Sequence, residues 1–232
     1  MLGRYEGELS WFNLGDKDIA TSIFRTQLLG RGNTLTQVAR KILDGLGVQF
    51  RMVPCTNDPV HTKIRSGSRV LGFQEYFVKE RAVPPADEIL FEGASDAKAS
   101  PEVKKALREA DRILIAPSNP YLSIDPILAI KDVATALGHR KADVSFVSPV
   151  VAGDAFKGPT IKIMRERGLE PSCVSIARHY LPFATTAFID VQDATLAPRI
   201  EQLGYRVHVF DTIMSSMEKK ERLGRFILSV LS

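Results

Sequence analysis

Residues 112–120 read Arg-Ile-Leu-Ile-Ala-Pro-Ser-Asn-Pro, and they are the clearest indication of the fold class. A short apolar run that stops at a proline-rich turn is typical of a buried strand followed by a loop. Helices are predicted on either side of it, over 101–110 and near 124–130. Because strands separated by helices form parallel sheets, the pattern predicts an α/β fold, a Rossmann-like doubly wound, mostly parallel sheet.

The same alternation of helices and strands continues to the end of the chain. Further strands are predicted over 144–147, 174–176, 187–190 and 206–210, with helices over 133–137, 159–167, 194–203 and 217–230. Nothing in the composition marks a linker or a repeat. We therefore expect a single α/β domain over residues 1–232.

The segment 48–92 has a different rhythm, and it predicts a β-rich insertion. Strands are expected over 48–53, 60–65, 70–78 and 89–91, separated by turns such as Cys-Thr-Asn-Asp-Pro at 55–59. Within the third of them, Phe-Gln-Glu-Tyr-Phe at 73–77 alternates like a half-buried strand. We expect these strands to form a local meander inside the larger domain.

The bulk composition is that of a globular protein and limits its partners. Of 232 residues, 44% are hydrophobic, and a net charge of only +4 is spread without a basic, aromatic-rich patch, so no nucleic-acid partner is expected. No apolar run approaches the length of a membrane span, so no membrane partner is expected. The two cysteines, Cys55 and Cys173, match no metal or redox spacing, which favours a cytoplasmic location.

Residues 13–26, Asn-Leu-Gly-Asp-Lys-Asp-Ile-Ala-Thr-Ser-Ile-Phe-Arg-Thr, predict a helix that follows a glycine. Asp18, Ser22 and Arg25 share one face of it, and such a polar stripe could bind a polar ligand and a divalent cation. Alternatively, Asp16 is the N-cap and Asp18 a favourable first-turn anion. The opposite, buried side is predicted to carry Ile19, Ile23, Phe24 and Leu28.

The loop after the strand at 112–116 carries small polar residues at the edge where doubly wound sheets bind ligands. Ser118 and Asn119 are held between two prolines. Ser123 could cap the next helix, whose free N–H groups could receive a phosphate. The alternative is that these residues only form turns.

Two later loops offer weaker candidates. In 148–160, Gly153 and Gly158 permit close backbone approach and Lys157 offers a point charge, although the Lys-Gly order is the reverse of a Walker A loop. In 177–180, Arg178 could bind phosphate and His179 could donate to it, or the histidine could be structural. No HxxxH, CxxC, GxSxG or GxGxxG motif is present, so hydrolase triads, zinc sites and nicotinamide binding have no support.

Taken together, the motifs resemble the 2-phospho-L-lactate transferase family of coenzyme F-420 biosynthesis (CofD-like), in order over nearly the whole chain. The resemblance rests on Leu-Gly-Asp-Lys-Asp-Ile-Ala-Thr at 14–21, Thr-Asn-Asp-Pro-Val at 56–60, Phe-Gln-Glu-Tyr-Phe at 73–77, Ala-Pro-Ser-Asn-Pro at 116–120, Ser-Pro-Val at 148–150, Lys-Gly-Pro at 157–159, Ala-Arg-His-Tyr at 177–180 and Asp-Thr-Ile-Met at 211–214.

The resemblance implies a transferase that moves a phospholactyl or phosphoenolpyruvyl group from a guanosine diphosphate-linked donor to the deazaflavin Fo, releases GMP and requires Mg²⁺. Our hypothesis for this chemistry is that Asn13, Asp16 and Asp18 face Fo and the metal site, with Arg25 near the phosphate. Ser118, Asn119 and Ser123 would hold the guanosine diphosphate part, with Lys157 as a weaker phosphate contact. We expect these residues to meet in one cleft. A homodimer is a further implication.

Two departures from the family pattern accompany this resemblance. Relatives begin with a glycine-rich strand-loop-helix and further aspartates, which implies that this chain is an N-terminally truncated member. Asp125 stands where a glycine is usual, and could weaken anion binding or cap a helix. The alternative function is a non-catalytic nucleotide or nucleotide-sugar binding regulator resembling gluconeogenesis-factor proteins, which should leave Fo fluorescence unchanged.

Overall fold

The computed structural model describes residue 11 and residues 14–155 and 158–232. The chain forms two compact units, Met1–Ala106 with Ile130–Asp132, and Leu107–Ala129 with Val133–Ser232. The expectation that residues 1–232 form a single α/β domain stays a prediction. Among the described residues, no helix combines the length and the apolar character needed to cross a bilayer.

The first unit opens with helices α1 (Asp16–Gly30) and α2 (Leu35–Gly45). Thr34 caps α2 because its side chain accepts a hydrogen bond from the Gln37 amide while the Gln37 side chain accepts one from the Thr34 amide. The prediction that one side of α1 is buried is wrong for three of its four residues. Ile23 is 65% exposed, and Ile19 and Phe24 are also exposed, whereas Leu28 is buried. Among the described residues, the buried part of this helix is therefore its last turn.

An antiparallel three-stranded sheet completes this unit, with strands β1 (His61–Ser66), β2 (Arg69–Gly72) and β3 (Glu88–Glu92) in the order β2-β1-β3. Its central residue is Ile64, which is fully buried and lies opposite Leu71 and Ile89. The β-rich insertion is thus present, but β1 lies in the middle, so the strands do not form the expected meander.

One predicted strand of this segment is wrong, and the strand predicted over 70–78 ends at Gly72. Residues 48–53 are not a strand, because within the described chain they pair with no neighbour and an alternating pattern alone cannot hold a strand. Residues 73–77 are helical, and Glu75–Lys79 form a π-helical turn with Tyr76 buried. The Phe73 and Phe77 rings stack 5.4 Å apart, a contact that helical spacing allows and a strand would forbid.

The remaining elements follow in chain order. They are α3 (Pro101–Glu109), β4 (Ile113–Ile115), a π-helical turn (Pro120–Ile124), α4 (Asp125–Leu128), α5 (Lys131–His139), β5 (Val144–Val147), β6 (Val150–Val151), β7 (Asp154–Ala155), α6 (Thr160–Glu166), α7 (Cys173–Tyr180), β8 (Thr186–Asp190), α8 (Ala197–Glu201), β9 (Arg206–Phe210) and α9 (Met217–Leu231).

The second unit is built on a parallel sheet in the order β4-β5-β8-β9. Neighbouring residues of β5 point to opposite faces. On one face, Val147 packs with Phe188 of β8 and with Leu223 and Ile227 of α9. On the other face, Phe146 contacts Tyr180 of α7. Helices therefore cover both faces, and the predicted α/β class with a mostly parallel sheet is confirmed.

Two predicted elements of this unit need correction, and a third element was not predicted. Residues 174–176 were predicted as a strand but lie inside helix α7. The Ser172 hydroxyl caps this helix, and the cap favours helix over a strand of only three residues. The helix predicted over 194–203 is a 3₁₀ segment (Val191–Leu196) that continues into α8. The loop after β5 contains the unpredicted hairpin β6–β7.

Candidate active site

All four strands of the parallel sheet run in the same direction, so the segments that follow them emerge at one edge. These segments begin at Ala116, Ser148, Val191 and Asp211. The last residue of β8, Asp190, also belongs to this edge. Several buried polar groups lie in these segments.

The turn after β4 is organised by Asn119. Its side-chain oxygen accepts hydrogen bonds from the amides of Tyr121 and Leu122, at 2.9 and 3.1 Å, and so caps the π-helical turn. These two bonds fix which side-chain atom is oxygen, because only the oxygen can accept. The Asn119 Nδ2 atom is buried and has no hydrogen-bond partner among the described residues. It is an amide donor that the described residues leave unsatisfied.

The predicted cap at Ser123 is wrong. Ser123 lies inside the π-helical turn, its side chain is exposed, and α4 begins after Ile124 without a side-chain cap. Asn119 performs the capping that we expected of Ser123, because the turn begins four residues earlier than the predicted helix. Ser118 lies in the bend before Asn119 and is half-buried.

The hairpin after β5 is held by buried polar groups. The Ser148 hydroxyl donates to the Val150 carbonyl at 2.8 Å, and the amide of Ala152 donates to both carboxylate oxygens of Asp193 at 3.1 Å. Burial raises the pKa of the Asp193 carboxyl. Ala152 and Gly153 both have positive φ, which this tight turn requires. Lys157 lies outside the described residues.

Sequence reasoning missed a second buried carboxylate. Asp190 is fully buried and accepts hydrogen bonds from the amide and hydroxyl of Thr212 and from the amide of Gln192. It therefore joins the segments that follow β8 and β9. An acid at the last position of a predicted apolar strand was the signal that could have identified it.

The candidates on α1 belong to the first unit. Asp18 accepts a hydrogen bond from the Gly15 amide at 3.3 Å, which supports its reading as a first-turn anion. Asp16 and Arg25 are exposed, and within the described chain neither makes a hydrogen bond or ion pair through its side chain. The helix keeps Asp18, Ser22 and Arg25 on one face, as predicted. Asn13 lies outside the described residues.

The carboxylates on α1 do not form a closed metal site. Residues two apart on a helix point in different directions, so Asp16 and Asp18 do not face each other. No group of three or more His, Cys, Asp or Glu side chains suited to a metal ion occurs in the described ranges. Mg²⁺ is commonly bound by one or two carboxylates with substrate phosphates and water, and the free carboxylate of Asp16 fits that mode.

Arg178 and His179 do not follow a strand, contrary to prediction, because they belong to α7. Arg178 is exposed, whereas His179 lies 2.7 Å from the carboxylate of Asp125, the first residue of α4. The Asp125 carboxylate is thus engaged by a side chain.

A separate cavity of about 440 Å³ occurs in the first unit, between α2 and residues 48–53. Its wall includes Arg40, Arg51 and Phe50, and the buried Oε2 atom of Glu102 has no hydrogen-bond partner among the described residues. Of the predicted site residues that the structure describes, none lines this cavity.

Both cysteines are free thiols, Cys55 half-buried and Cys173 buried. Burial raises the pKa of Cys173 to about 12 and also raises the pKa of Cys55. Neither is a reactive thiolate near neutral pH.

Comparison with solved structures shows the fold. A crystal structure of a Bacillus halodurans protein has a TM-score of 0.64 and 13% sequence identity, and the match covers 97% of this chain and 75% of that one. A second crystal structure, of a UPF0052 family member from the same organism, has a TM-score of 0.53 and 16% identity, with coverage of 94% and 65%.

Comparison with known sequences shows the family. The family model for 2-phospho-L-lactate transferase CofD matches residues 3–218. The chain is 35% identical to a 2-phospho-L-lactate transferase of Haloarcula marismortui, covering 99% of this chain and 66% of the relative. It is 33% identical to the Methanosarcina acetivorans protein of that name, covering 94% and 70%.

A phosphoenolpyruvate transferase of Streptomyces avermitilis is equally similar, with 33% identity over 95% of this chain and 70% of the relative. This chain thus spans about two thirds of the length of these relatives. The chain belongs to the 2-phospho-L-lactate transferase family, which confirms both the predicted family and the predicted class of enzyme.

Proposed function

We propose that this protein transfers a phospholactyl or phosphoenolpyruvyl group from a guanosine diphosphate-linked donor to the deazaflavin Fo and releases GMP. Family membership supports the reaction class, and the names of the relatives support the phospholactyl and the phosphoenolpyruvyl group as alternatives. The observation that carries the donor assignment is the buried Asn119 Nδ2 in the turn after β4, a donor for which the described residues provide no hydrogen-bond partner.

The reaction is a displacement at phosphorus. An oxygen of the terminal ribityl hydroxyl of Fo forms a bond to the phosphorus of the phospholactyl or phosphoenolpyruvyl group. The bond from that phosphorus to the bridging oxygen breaks, GMP leaves with this oxygen, and the hydroxyl proton passes to solvent. Such transfers depend on positioning and on neutralising charge on the phosphoryl oxygens, rather than on covalent help from the protein.

The chain's own residues would divide these tasks. Asn119 Nδ2 and the Ser118 hydroxyl would bind the guanosine diphosphate part, together with Ser123. Lys157 would add a weaker phosphate contact. The neutral polar donors of this turn suit an anionic ligand better than a carboxylate-rich loop would.

The residues at the start of α1 are proposed for the acceptor and the metal. Asn13 and Asp18 would contact Fo, Arg25 would neutralise a phosphate, and Asp16 would hold Mg²⁺. The ion, when bound, supplies positive charge to the phosphoryl oxygens. Asp16 and Arg25 are exposed, and neither side chain makes a structural bond to a residue that the structure describes, which supports these roles.

A cytoplasmic location and a homodimer complete the proposal. The two free thiols support a reducing compartment. The dimer rests on the family resemblance alone.

The direct test is an assay of GMP release with Fo, Mg²⁺ and either donor, with the coupled product identified by mass spectrometry. We expect equal amounts of GMP and of a phosphodiester of Fo, with one donor used at least tenfold faster than the other. Fo fluorescence that is unchanged on titration, together with nucleotide binding and no GMP release, would contradict the transferase and favour a nucleotide-binding regulator.

A further inference from the structure

His179 and Asp125 form a hydrogen-bonded pair that the reaction itself does not require. The His179 Nε2 atom lies 2.7 Å from Asp125 Oδ1, and the two side chains are only 25% and 21% exposed. An ionised carboxylate can only accept, so the imidazole donates through Nε2. The bond joins the end of α7 to the first residue of α4.

The imidazole ring also packs against two buried tyrosines. It meets the rings of Tyr121 and Tyr180 edge-on, with centroids 5.3 and 5.1 Å away. The guanidinium carbon of Arg167 lies 4.7 Å from the centroid of the Tyr121 ring. Both tyrosines are 1% exposed, and among the described residues their hydroxyls have no hydrogen-bond partner. Packing, rather than hydroxyl bonding, thus holds Tyr121.

Tyr121 connects this cluster to the candidate donor site. Its amide donates to the Asn119 side-chain oxygen, so the position of Tyr121 fixes the orientation of the Asn119 amide group. Asp125 lies directly after the same π-helical turn. His179 therefore contacts the turn at Tyr121 near its start and at Asp125 just beyond its end.

We propose that His179 is a positioning residue for the donor: through Asp125 and Tyr121 it holds the turn 120–124 so that Asn119 Nδ2 and Ser118 face the guanosine diphosphate part. This inference rests on the proposed function. Its physical basis is that a turn that is already ordered does not lose conformational entropy when the ligand binds. His179 touches no reacting atom in this account.

Two substitutions separate the hydrogen bond from the packing. His179→Phe keeps an aromatic ring against Tyr121 and Tyr180 but removes the bond to Asp125. His179→Gln loses the ring but can still donate to Asp125 through its amide. We expect His179→Phe to raise the KM for the donor at least fivefold and to change kcat at saturating donor less than twofold. The KM for Fo should not change, and His179→Gln should recover part of the loss.

Amide hydrogen exchange gives a second readout that does not need activity. We expect the Tyr121 and Leu122 amides to exchange at least tenfold faster in His179→Phe, whereas amides of Val144–Val147 keep their rates. An unchanged donor KM with unchanged exchange would overturn the inference, as would an equal loss of kcat for every substrate. If the unaltered chain releases no GMP, the proposed function fails. The positioning role is then tested separately, by the amide exchange rates and the GDP affinity of the variants.

Discussion

The carboxylate of Asp190 accepts two hydrogen bonds from Thr212, one from its amide at 2.8 Å and one from its hydroxyl at 3.0 Å. Both residues are buried at the edge of the sheet from which the candidate donor turn also emerges. Because the chain satisfies this carboxylate with three donors, we interpret Asp190 as a structural clamp between two loops.

Removing this clamp should destabilise the protein. Asp190→Ala leaves the Thr212 and Gln192 amides without their acceptor, and we expect a loss of about 3 kcal/mol in the free energy of unfolding. Thr212→Val removes only the hydroxyl donor and should cost about 1 kcal/mol. Urea denaturation measures both. Glu221→Ala, which breaks only an exposed ion pair with Arg225, is the control and should change stability by less than about 1 kcal/mol.

Asp193 should make stability depend on pH. Burial raises its pKa in the folded state above the unfolded value, so its contribution to stability is fully present below the unfolded pKa and is lost as pH rises through the folded pKa. Asp193→Asn removes this titration and retains one acceptor for the Ala152 amide.

We therefore expect the stability of the unaltered chain relative to Asp193→Asn to fall from pH 4 upward and then to level off. Asp193→Ala leaves the Ala152 amide unpaired and should cost about 1–3 kcal/mol at every pH. Thermal unfolding at a series of pH values measures the difference. A relative stability that rises with pH would show that the carboxylate is favoured in its charged form, contrary to this account.

The two thiols should differ in their rate of modification. Cys173 is completely buried and its pKa is raised to about 12, whereas Cys55 is half-buried. We expect a thiol reagent at pH 8 to label Cys55 at least tenfold faster than Cys173, as followed by mass spectrometry. Equal labelling rates in the native protein would contradict this expectation and show that α7 opens readily. The control is Cys55→Ser, in which Cys173 is the only thiol that can be labelled.

Asp16 should affect turnover much more than stability. Its side chain is exposed and unpaired in the described chain, so Asp16→Asn should change the free energy of unfolding by less than about 0.5 kcal/mol. Its proposed role at Mg²⁺ predicts a fall of at least tenfold in GMP release, partly recovered at higher Mg²⁺. Asp96→Asn, another exposed position, should leave turnover unchanged. Full activity of Asp16→Asn would remove this residue from the site.

The sequence predicted best those elements whose pattern is local. The strands Val144–Val147 and Arg206–Phe210 have the predicted bounds, because apolar β-branched runs between polar turns need little tertiary information. The position of Ser118 and Asn119 directly after β4 follows from the same reasoning. Residues 48–53 show the opposite case, since their alternation says nothing about whether a partner strand exists.

The candidate site was less accessible to sequence reasoning. That Asn119, not Ser123, caps the turn depends on a π-helical geometry that no spacing rule indicates. The pairing of His179 with Asp125 joins residues 54 positions apart, and the Asp190–Thr212 bonds join residues 22 apart. Such contacts arise from the order of strands in the sheet. The roles of the predicted site residues stay predictions.

The most direct test of the account is the affinity of GDP for the chain with Asn119→Asp. This substitution keeps the oxygen that caps Tyr121 and Leu122, but it replaces the Nδ2 donor, which has no partner among the described residues, by a charged oxygen. In calorimetric titrations we expect the Kd for GDP to rise at least tenfold. Circular dichroism should show that the variant is folded, with an unfolding temperature lowered by the buried charge. An unchanged Kd in a folded variant would contradict the assignment of this turn to the donor.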